Sequence, residues 1–335
     1  MTVVGPFGLS VRDRALEADV QAGLAAVESG LLDATKSGVP FITEAAQHLV
    51  RAGGKRFRPL LAILSARFGD PYAPGIVPAA VVVELTHLAT LYHDDVMDEA
   101  DVRRGVESAN SRWGNSLAVL TGDFLFARAS HILADLGPEA VRIQAEAFER
   151  LVTGQILETA GPDDRDPVEH YLDVLSGKTG SLIAVACRFG ALMAGADEAA
   201  VDILTQYGER LGVAFQLADD VLDIASDSHE SGKTPGTDLR EGIPTLPVLH
   251  LRARAAAEGR PEDLELVALL DGDLTDDARH AEALRRLRAH PALEQARRDT
   301  VRYAEAARRT LAPLPGGYAK AALEEMCDAV VHRAG

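Results

Sequence analysis

Two short segments of this chain repeat one pattern: Asp94-Asp95-Val96-Met97-Asp98 and Asp219-Asp220-Val221-Leu222-Asp223, each Asp-Asp-Val-x-Asp. On an α-helix, positions i, i+1 and i+4 fall within roughly 100° of one another, so each segment sets three carboxylates on one face. Both lie in apolar sequence, with Leu88 to Tyr92 before the first and Val213 to Leu217 before the second. Carboxylates crowded into apolar surroundings are unstable unless cations neutralise them. Two such clusters facing each other hold several hard divalent ions, with room for a phosphate ligand between them. To share ions the clusters have to converge, which argues for a single domain over 1–335 rather than two independent ones.

Hydrophobic residues make up 47% of the 335, enough for a large core. The net charge of −17 disfavours nucleic acid or an anionic membrane as a main partner. It does not exclude an anionic substrate, because metal ions and local basic residues reverse the sign inside a cleft. Cys187 and Cys327 sit in apolar helical stretches and read as reduced core residues rather than a disulfide framework. The first residues lack a basic segment followed by an apolar run, so no signal peptide is expected and the expected location is cytoplasmic. The longest apolar run, Ile76 to Tyr92, carries Glu84 and His87 and fits a buried helix better than a membrane span.

Apolar residues recur at three- and four-residue spacing, and strict alternation is almost absent. The pattern predicts helices at about 12–34, 39–52, 57–69, 75–98, 115–136, 139–160, 167–177, 180–195, 197–226, 245–257, 277–289, 291–312 and 317–333, separated by Gly- and Pro-bearing breaks. Asp227 to Gly242 reads as a loop beside the second Asp cluster, and 258–276 as an acidic peripheral connection. The expected class is all-α, a single-domain bundle of about 12–13 helices.

The chain has only five lysines, and three stand in polar, Gly-bearing segments: Gly53-Gly54-Lys55-Arg56-Phe57-Arg58-Pro59, Gly177-Lys178-Thr179-Gly180 and Gly232-Lys233-Thr234. In a chain that otherwise chooses Arg, Lys beside Gly suggests a point charge brought close to a phosphate. Arg103 and Arg104 follow the first Asp cluster and are suited to bidentate grip on a diphosphate. His87 lies two helical turns before Asp94 on nearly the same face. Taken singly, each of these has a plainer reading as a surface turn, a solvated helix end or a core histidine.

Together these residues resemble the trans-isoprenyl diphosphate synthases (polyprenyl synthetases) over about residues 10 to 333. The resemblance rests on Gly53 to Pro59, His93 to Gly105, Gly122-Asp123, Gly154-Gln155, Lys178-Thr179, Phe215 to Asp223, Gly232 to Gly242 and Thr245-Leu246-Pro247. It implies a helix bundle around a deep central cavity (the isoprenoid synthase fold), a homodimer, and Mg²⁺ as cofactor, three ions with the diphosphate bound. It implies that Asp94, Asp95 and Asp98 form the first metal motif and Asp219, Asp220 and Asp223 the second. Lys55, Arg58, His87 and Arg104 then resemble the isopentenyl diphosphate site, and Arg103, Lys178, Thr179, Gln216 and Lys233 the allylic diphosphate site. One departure stands out: Ile243 occupies a position where many members carry a second lysine.

The resemblance implies that the growing tail passes the helix before Asp94, where an aromatic four or five positions before that residue gives short products. Here those positions hold Thr90 and Ala89, with Thr86 and Val82 one and two turns further. An open tunnel past Ala89, Thr90, Thr86 and Val82 predicts a product longer than geranylgeranyl diphosphate, such as a quinone side-chain precursor, with Phe124 or Phe126 as a floor lower down. The alternatives are a short-chain farnesyl or geranylgeranyl diphosphate synthase, a class I terpene cyclase, and a subunit of a two-component synthase. The second Asp cluster with Lys55 and Arg58 weighs against the cyclase, and two complete Asp clusters weigh against a non-catalytic subunit, while a catalytic subunit that depends on a second chain stays open.

Overall fold

The computed structural model describes residues 13–226 and 235–334. Among these, helices α1 (Arg14–Ala34), α2 (Pro40–Arg51), α3 (Phe57–Ser65) and α4 (Ile76–Met97) lead to a two-stranded hairpin, β1 (Val102–Arg103) and β2 (Val106–Glu107). Then come α5 (Ala109–Trp113), α6 (Asn115–Leu136), α7 (Pro138–Ala160), α8 (Pro167–Leu175), a π-turn at Ser176–Gly180, α9 (Ser181–Met193) and α10 (Glu198–Ala225). The chain ends with α11 (Thr237–Arg240), α12 (Leu246–Glu258), α13 (Pro261–Leu270), α14 (Asp277–Arg288), α15 (Pro291–Thr310) and α16 (Tyr318–Ala334). The fold is all-α, as expected. Helix starts carry acidic caps: Asp13 accepts from the Leu16 amide at 2.8 Å, Asp166 from Val168 and Glu169 at 2.9 Å each, and Asp276 from Arg279 at 2.9 Å.

Four elements depart from the expected pattern. The hairpin pairs Val102 with Glu107 and Arg103 with Val106, closed by Arg104 (φ 54°) and Gly105 (φ 76°). Two successive positive φ values make the tight turn whose twist matches antiparallel strands, but two-residue strands are too short to show alternation. The short helix α5 follows it, capped by Ser108. The segment 258–276 contains α13, whose Asp263 is buried between His290 (3.0 Å) and Arg254 (3.0 Å), so acidic composition hid a packed helix. In the expected loop from Asp227 to Gly242, 227–234 lie outside the described residues, and α11 occupies part of the rest.

The chain divides into two compact units. One comprises the chain up to Glu149 with Leu182–Gly208 and Thr310–Glu325; the other comprises Arg150–Ser181, Glu209–Arg309 and the chain from Met326 onward. In the first unit α4 is the core helix, packed by α1, α3 and α6. Its Val82, Val83, Leu85, Leu88, Ala89 and Tyr92 are fully buried. In the second unit α12 packs on α8 and α13, and α14 on α11 and α13. Both α4 and α6 are long and apolar enough to cross a membrane, but 67% of the apolar window of α4 is buried inside the protein, against 33% for α6. Cys187 and Cys327 are buried and unbridged, and burial pushes the Cys187 thiol up to about 12.

Tyr92 ties α4 to α2: its hydroxyl donates to Ala45 O at 2.6 Å and accepts from the Leu49 amide at 3.3 Å. Tyr92→Phe removes both of these bonds and is expected to cost about 1 kcal/mol, read as a lower urea midpoint at unchanged slope.

Candidate active site

The first Asp cluster closes α4, with Asp98 as its C-cap. Asp95 is fully buried, Asp94 half-buried and Asp98 exposed. Arg103, on the hairpin strand β1, reaches back to Asp95 Oδ1 at 2.5 Å, with Asp98 Oδ2 at 3.9 Å. Burial raises the Asp95 carboxyl above its ordinary range against the pull of Arg103. Its other oxygen, Oδ2, is buried without a hydrogen-bond partner.

Two turns earlier on α4, His87 lies among arginines. Burial, then Arg58, Arg104, Arg103 and Arg56, hold its imidazole well below the ordinary pKa. Burial also pushes Arg58 down to about 10, against the pull of Glu84, and lowers Arg104. The Arg58 Nε is buried and unpartnered. Lys55 is exposed. Thus Arg58, His87 and Arg104, three of the four residues expected at the isopentenyl site, act on one another in the first unit. Glu84 belongs with them, 3.0 Å from Arg56 Nη1 and 3.8 Å from Arg104 Nη2. The sequence offered a signal for it: a lone carboxylate inside the longest apolar run.

The expected tunnel wall is altered. Val82, Thr86 and Ala89 show 0%, 1% and 0% exposure, so these three do not line an open channel. Thr86 is sealed by Gln144 of α7, whose Nε2 donates to its Oγ1 at 2.9 Å. Thr90 alone remains half-open, in line with His87 and Asp94. Phe126, a candidate floor, stacks between His93 (5.7 Å) and Phe148 (4.5 Å), and Phe124 is half-buried.

In the second unit, Lys178 and Thr179 lie in the π-turn between α8 and α9 rather than in a break. A single π-turn in a helical run is a frequent device at functional sites. It forms because glycines let backbones touch: a Cβ on Gly154 would stand 2.9 Å from the Lys178 amide, and one on Gly177 2.9 Å from Arg150 O. The Lys178 ammonium pairs with Glu158, and Thr179 Oγ1 donates to Gln216 Oε1 at 3.3 Å. Lys178, Thr179 and Gln216 thus share one neighbourhood, while Lys233 lies outside the described residues.

The second Asp cluster ends α10. Asp220 is buried, accepts from the Tyr171 hydroxyl and from Gln216 Nε2 (3.0 Å), and is raised by burial to about 6. Asp219 pairs with Arg333 of α16 at 2.7 Å. Asp223 accepts the amides of Thr237 and Asp238 at 3.2 Å each, fastening the start of α11. Ile243 is 40% exposed, its amide bound to Asp238 O at 2.8 Å. No sequence signal pointed to Tyr171 or Arg333. Among the described residues no three His, Cys, Asp or Glu side chains gather around one point. Within each unit the cluster is made of carboxylates only, the chemistry a hard cation prefers: in the first Asp95 has an orphaned buried oxygen and is raised by burial, and in the second burial raises Asp220.

The family model for polyprenyl synthetase matches residues 39–286. The chain belongs to the polyprenyl synthetase family. A nonaprenyl diphosphate synthase of Mycobacterium tuberculosis is 48% identical over 330 residues, 98% of this chain and 97% of its own length. The geranylgeranyl pyrophosphate synthase of Corynebacterium glutamicum, solved with calcium and isoprenyl diphosphate, superposes with a TM-score of 0.87 at 44% identity, covering 98% of this chain and 100% of that one. A decaprenyl diphosphate synthase of Rhodobacter capsulatus superposes with a TM-score of 0.85 at 35% identity, covering 96% and 99%. The polyprenyl synthetase described here is therefore a prenyltransferase with the isoprenoid synthase fold, of a metal-dependent family that works on allylic and isopentenyl diphosphates.

The neutral His87 makes a pH prediction. Its folded pKa lies below the unfolded value of about 6.5, so the unfolded chain takes up the proton first. Its contribution to stability is complete above about pH 6.5 and is lost as pH falls below that. The drop in urea midpoint between about pH 7.5 and about pH 5.5 is expected to be smaller in His87→Gln than in the parent.

Proposed function

We propose that this synthase is a single polyprenyl synthetase domain that extends an allylic diphosphate with isopentenyl diphosphate to products longer than geranylgeranyl. The observation that carries this reading is the half-buried cluster of Arg58, His87 and Arg104, with an unused Arg58 donor and a histidine held neutral. That group suits a diphosphate anion, whose arrival favours the charged forms of all three. Lys55 completes the isopentenyl diphosphate site. Arg103, Lys178, Thr179, Gln216 and Lys233 take the allylic diphosphate, without the extra cation that Ile243 replaces.

Asp94, Asp95, Asp98, Asp219, Asp220 and Asp223 would hold Mg²⁺, three ions with diphosphate bound, and the ions would supply charge neutralisation for the leaving diphosphate. Arg103, Lys178 and Lys233 add fixed positive charge where the C–O bond breaks. Lys55, Arg58, His87 and Arg104 orient isopentenyl diphosphate so that its double bond meets the allylic cation. The apolar wall of α4 keeps water from that cation. Proton loss to the departing diphosphate then gives an allylic diphosphate one isoprene unit longer.

The reading includes a cytoplasmic homodimer. The α6 helix leaves the adjacent Val119 and Leu120 39% and 61% exposed, apolar side chains suited to a second copy. Leu120→Asp is expected to shift light-scattering mass from dimer toward monomer; an unchanged dimer places the interface elsewhere.

Product length is tested with Mg²⁺, isopentenyl diphosphate and farnesyl diphosphate. Products beyond geranylgeranyl are expected, and Thr90→Phe is expected to shorten them. A second reading, a synthase stopping at geranylgeranyl, is favoured by the closed face of α4 below Thr90. Products that stop there, unchanged by Thr90→Phe, decide for it.

A further inference from the structure

Every N–H of Arg56 is spent inside the protein. Its Nε donates to Glu28 Oε1, and its Nη2 to Glu28 Oε2 at 3.1 Å and Val50 O at 3.0 Å. Its Nη1 donates to Glu84 Oε1 at 3.0 Å and Gly53 O at 3.4 Å. A guanidinium has five N–H donors, so none is left for a substrate. Arg58, two residues on, has the opposite character, with a buried Nε that has no partner.

The same buried oxygen, Glu84 Oε1, also lies 3.8 Å from Arg104 Nη2. Arg104 Nη1 in turn donates to Leu49 O at 3.1 Å and to Gly53 O, the carbonyl that Arg56 also reaches. The backbone between them is held in unusual shapes: Gly53 at φ 84°, Gly54 at φ 151° and Arg56 itself at φ 48°. A Cβ on Gly54 would stand 2.9 Å from the Arg104 guanidinium. A non-glycine residue keeps such a φ only where its surroundings over-determine it.

We propose that Arg56, clamped between Glu28 of α1 and Glu84 of α4, is a positioning residue that fixes the Gly53–Pro59 turn. The clamp aims Lys55 and Arg58 at isopentenyl diphosphate, and Glu84 sets Arg104 against the same turn. Arginines gathered without an anion repel one another. Two carboxylates, Glu28 and Glu84, set against Arg56, Arg58 and Arg104 let them assemble before the ligand arrives while leaving the group positive. The ligand then meets an ordered site and does not have to order it. The inference rests on the reading of Lys55, Arg58, His87 and Arg104 as the isopentenyl diphosphate site.

The test is steady-state kinetics with both substrates, plus calorimetric binding of isopentenyl diphosphate alone, for the parent, Glu84→Gln and Glu28→Gln. Glu28 is 42% exposed, so Glu28→Gln carries the test if Glu84→Gln does not fold. The expected result is a KM for isopentenyl diphosphate raised about tenfold, with kcat and the allylic KM within about twofold. Unchanged isopentenyl diphosphate affinity in the folded variants overturns the clamp and leaves the site reading intact. Equal losses for both substrates show general loosening and also overturn it. A parent with no affinity for isopentenyl diphosphate removes the site reading, and the clamp with it.

Discussion

A charge placed in the core needs a partner, and α4 makes that requirement the organising fact of the first unit. Its apolar face is buried on α1, α3 and α6, yet the same helix carries Glu84, His87, Asp94 and Asp95. Burying an unpaired carboxylate costs several kcal/mol, so each of these groups dictates something nearby. Glu84 draws in Arg56 and Arg104, Asp95 draws back the hairpin through Arg103, and His87 gives up its charge. The hairpin has only two residues per strand, which is too little for an independent sheet. Its place is fixed instead by Arg103 on Asp95 and by Arg104 on the carbonyls of Leu49 and Gly53.

The second unit answers the same requirement with different chemistry. Asp219 has an arginine, Asp220 a tyrosine and an amide side chain, and Asp223 two backbone amides. These partners are graded in strength. An Arg–carboxylate pair stabilises the ionised form, whereas a tyrosine hydroxyl in a dry site does so weakly, and Asp220 moves up to about 6. A divalent cation would displace each partner at a different cost. The lysine of the same unit follows a geometric rule. Lys178 stands in a π-turn because glycines at 154 and 177 let α7 touch its backbone, so its position is set by main-chain contact and its direction by Glu158.

What the sequence made legible follows from these causes. Helix α6 was expected at 115–136 and runs Asn115–Leu136, because Gly114 and Gly137 punctuate a strong apolar period. Carboxylate clusters and Gly-flanked lysines stand out in the sequence because each is a local pattern, and their roles remain part of the proposal. Tyr171, Arg333 and the pairing of Arg56 with Glu28 and Glu84 were not, since they join residues far apart in sequence and no spacing rule connects them. The helix α13 was missed because Asp263 reads as surface until His290 and Arg254 are seen around it. Burial at Ala89, Thr86 and Val82 was missed for a related reason. Small residues on a helix face are equally consistent with a channel and with close packing, and only the Gln144–Thr86 hydrogen bond decides.

Relatives of similar identity carry different products in their names, nonaprenyl at 48% and geranylgeranyl at 44%. Global similarity does not sort them; on the proposed path along α4, chain length would depend on where that path ends. From Asp94 to Thr90 a helix rises about 6 Å, which is the length of open face left beside the first carboxylates. A tail longer than that has to part Gln144 from Thr86 or turn away from α4. Gln144 Oε1 is already buried without a partner. Parting the pair therefore gives up one hydrogen bond, about 1 kcal/mol, in a place where the amide was never fully satisfied. Extending an apolar tail by one isoprene unit gains about 0.8 kcal/mol for each buried CH₂ equivalent. The gain exceeds the loss within a single unit, so the closed face of α4 below Thr90 is a barrier that a growing product can open.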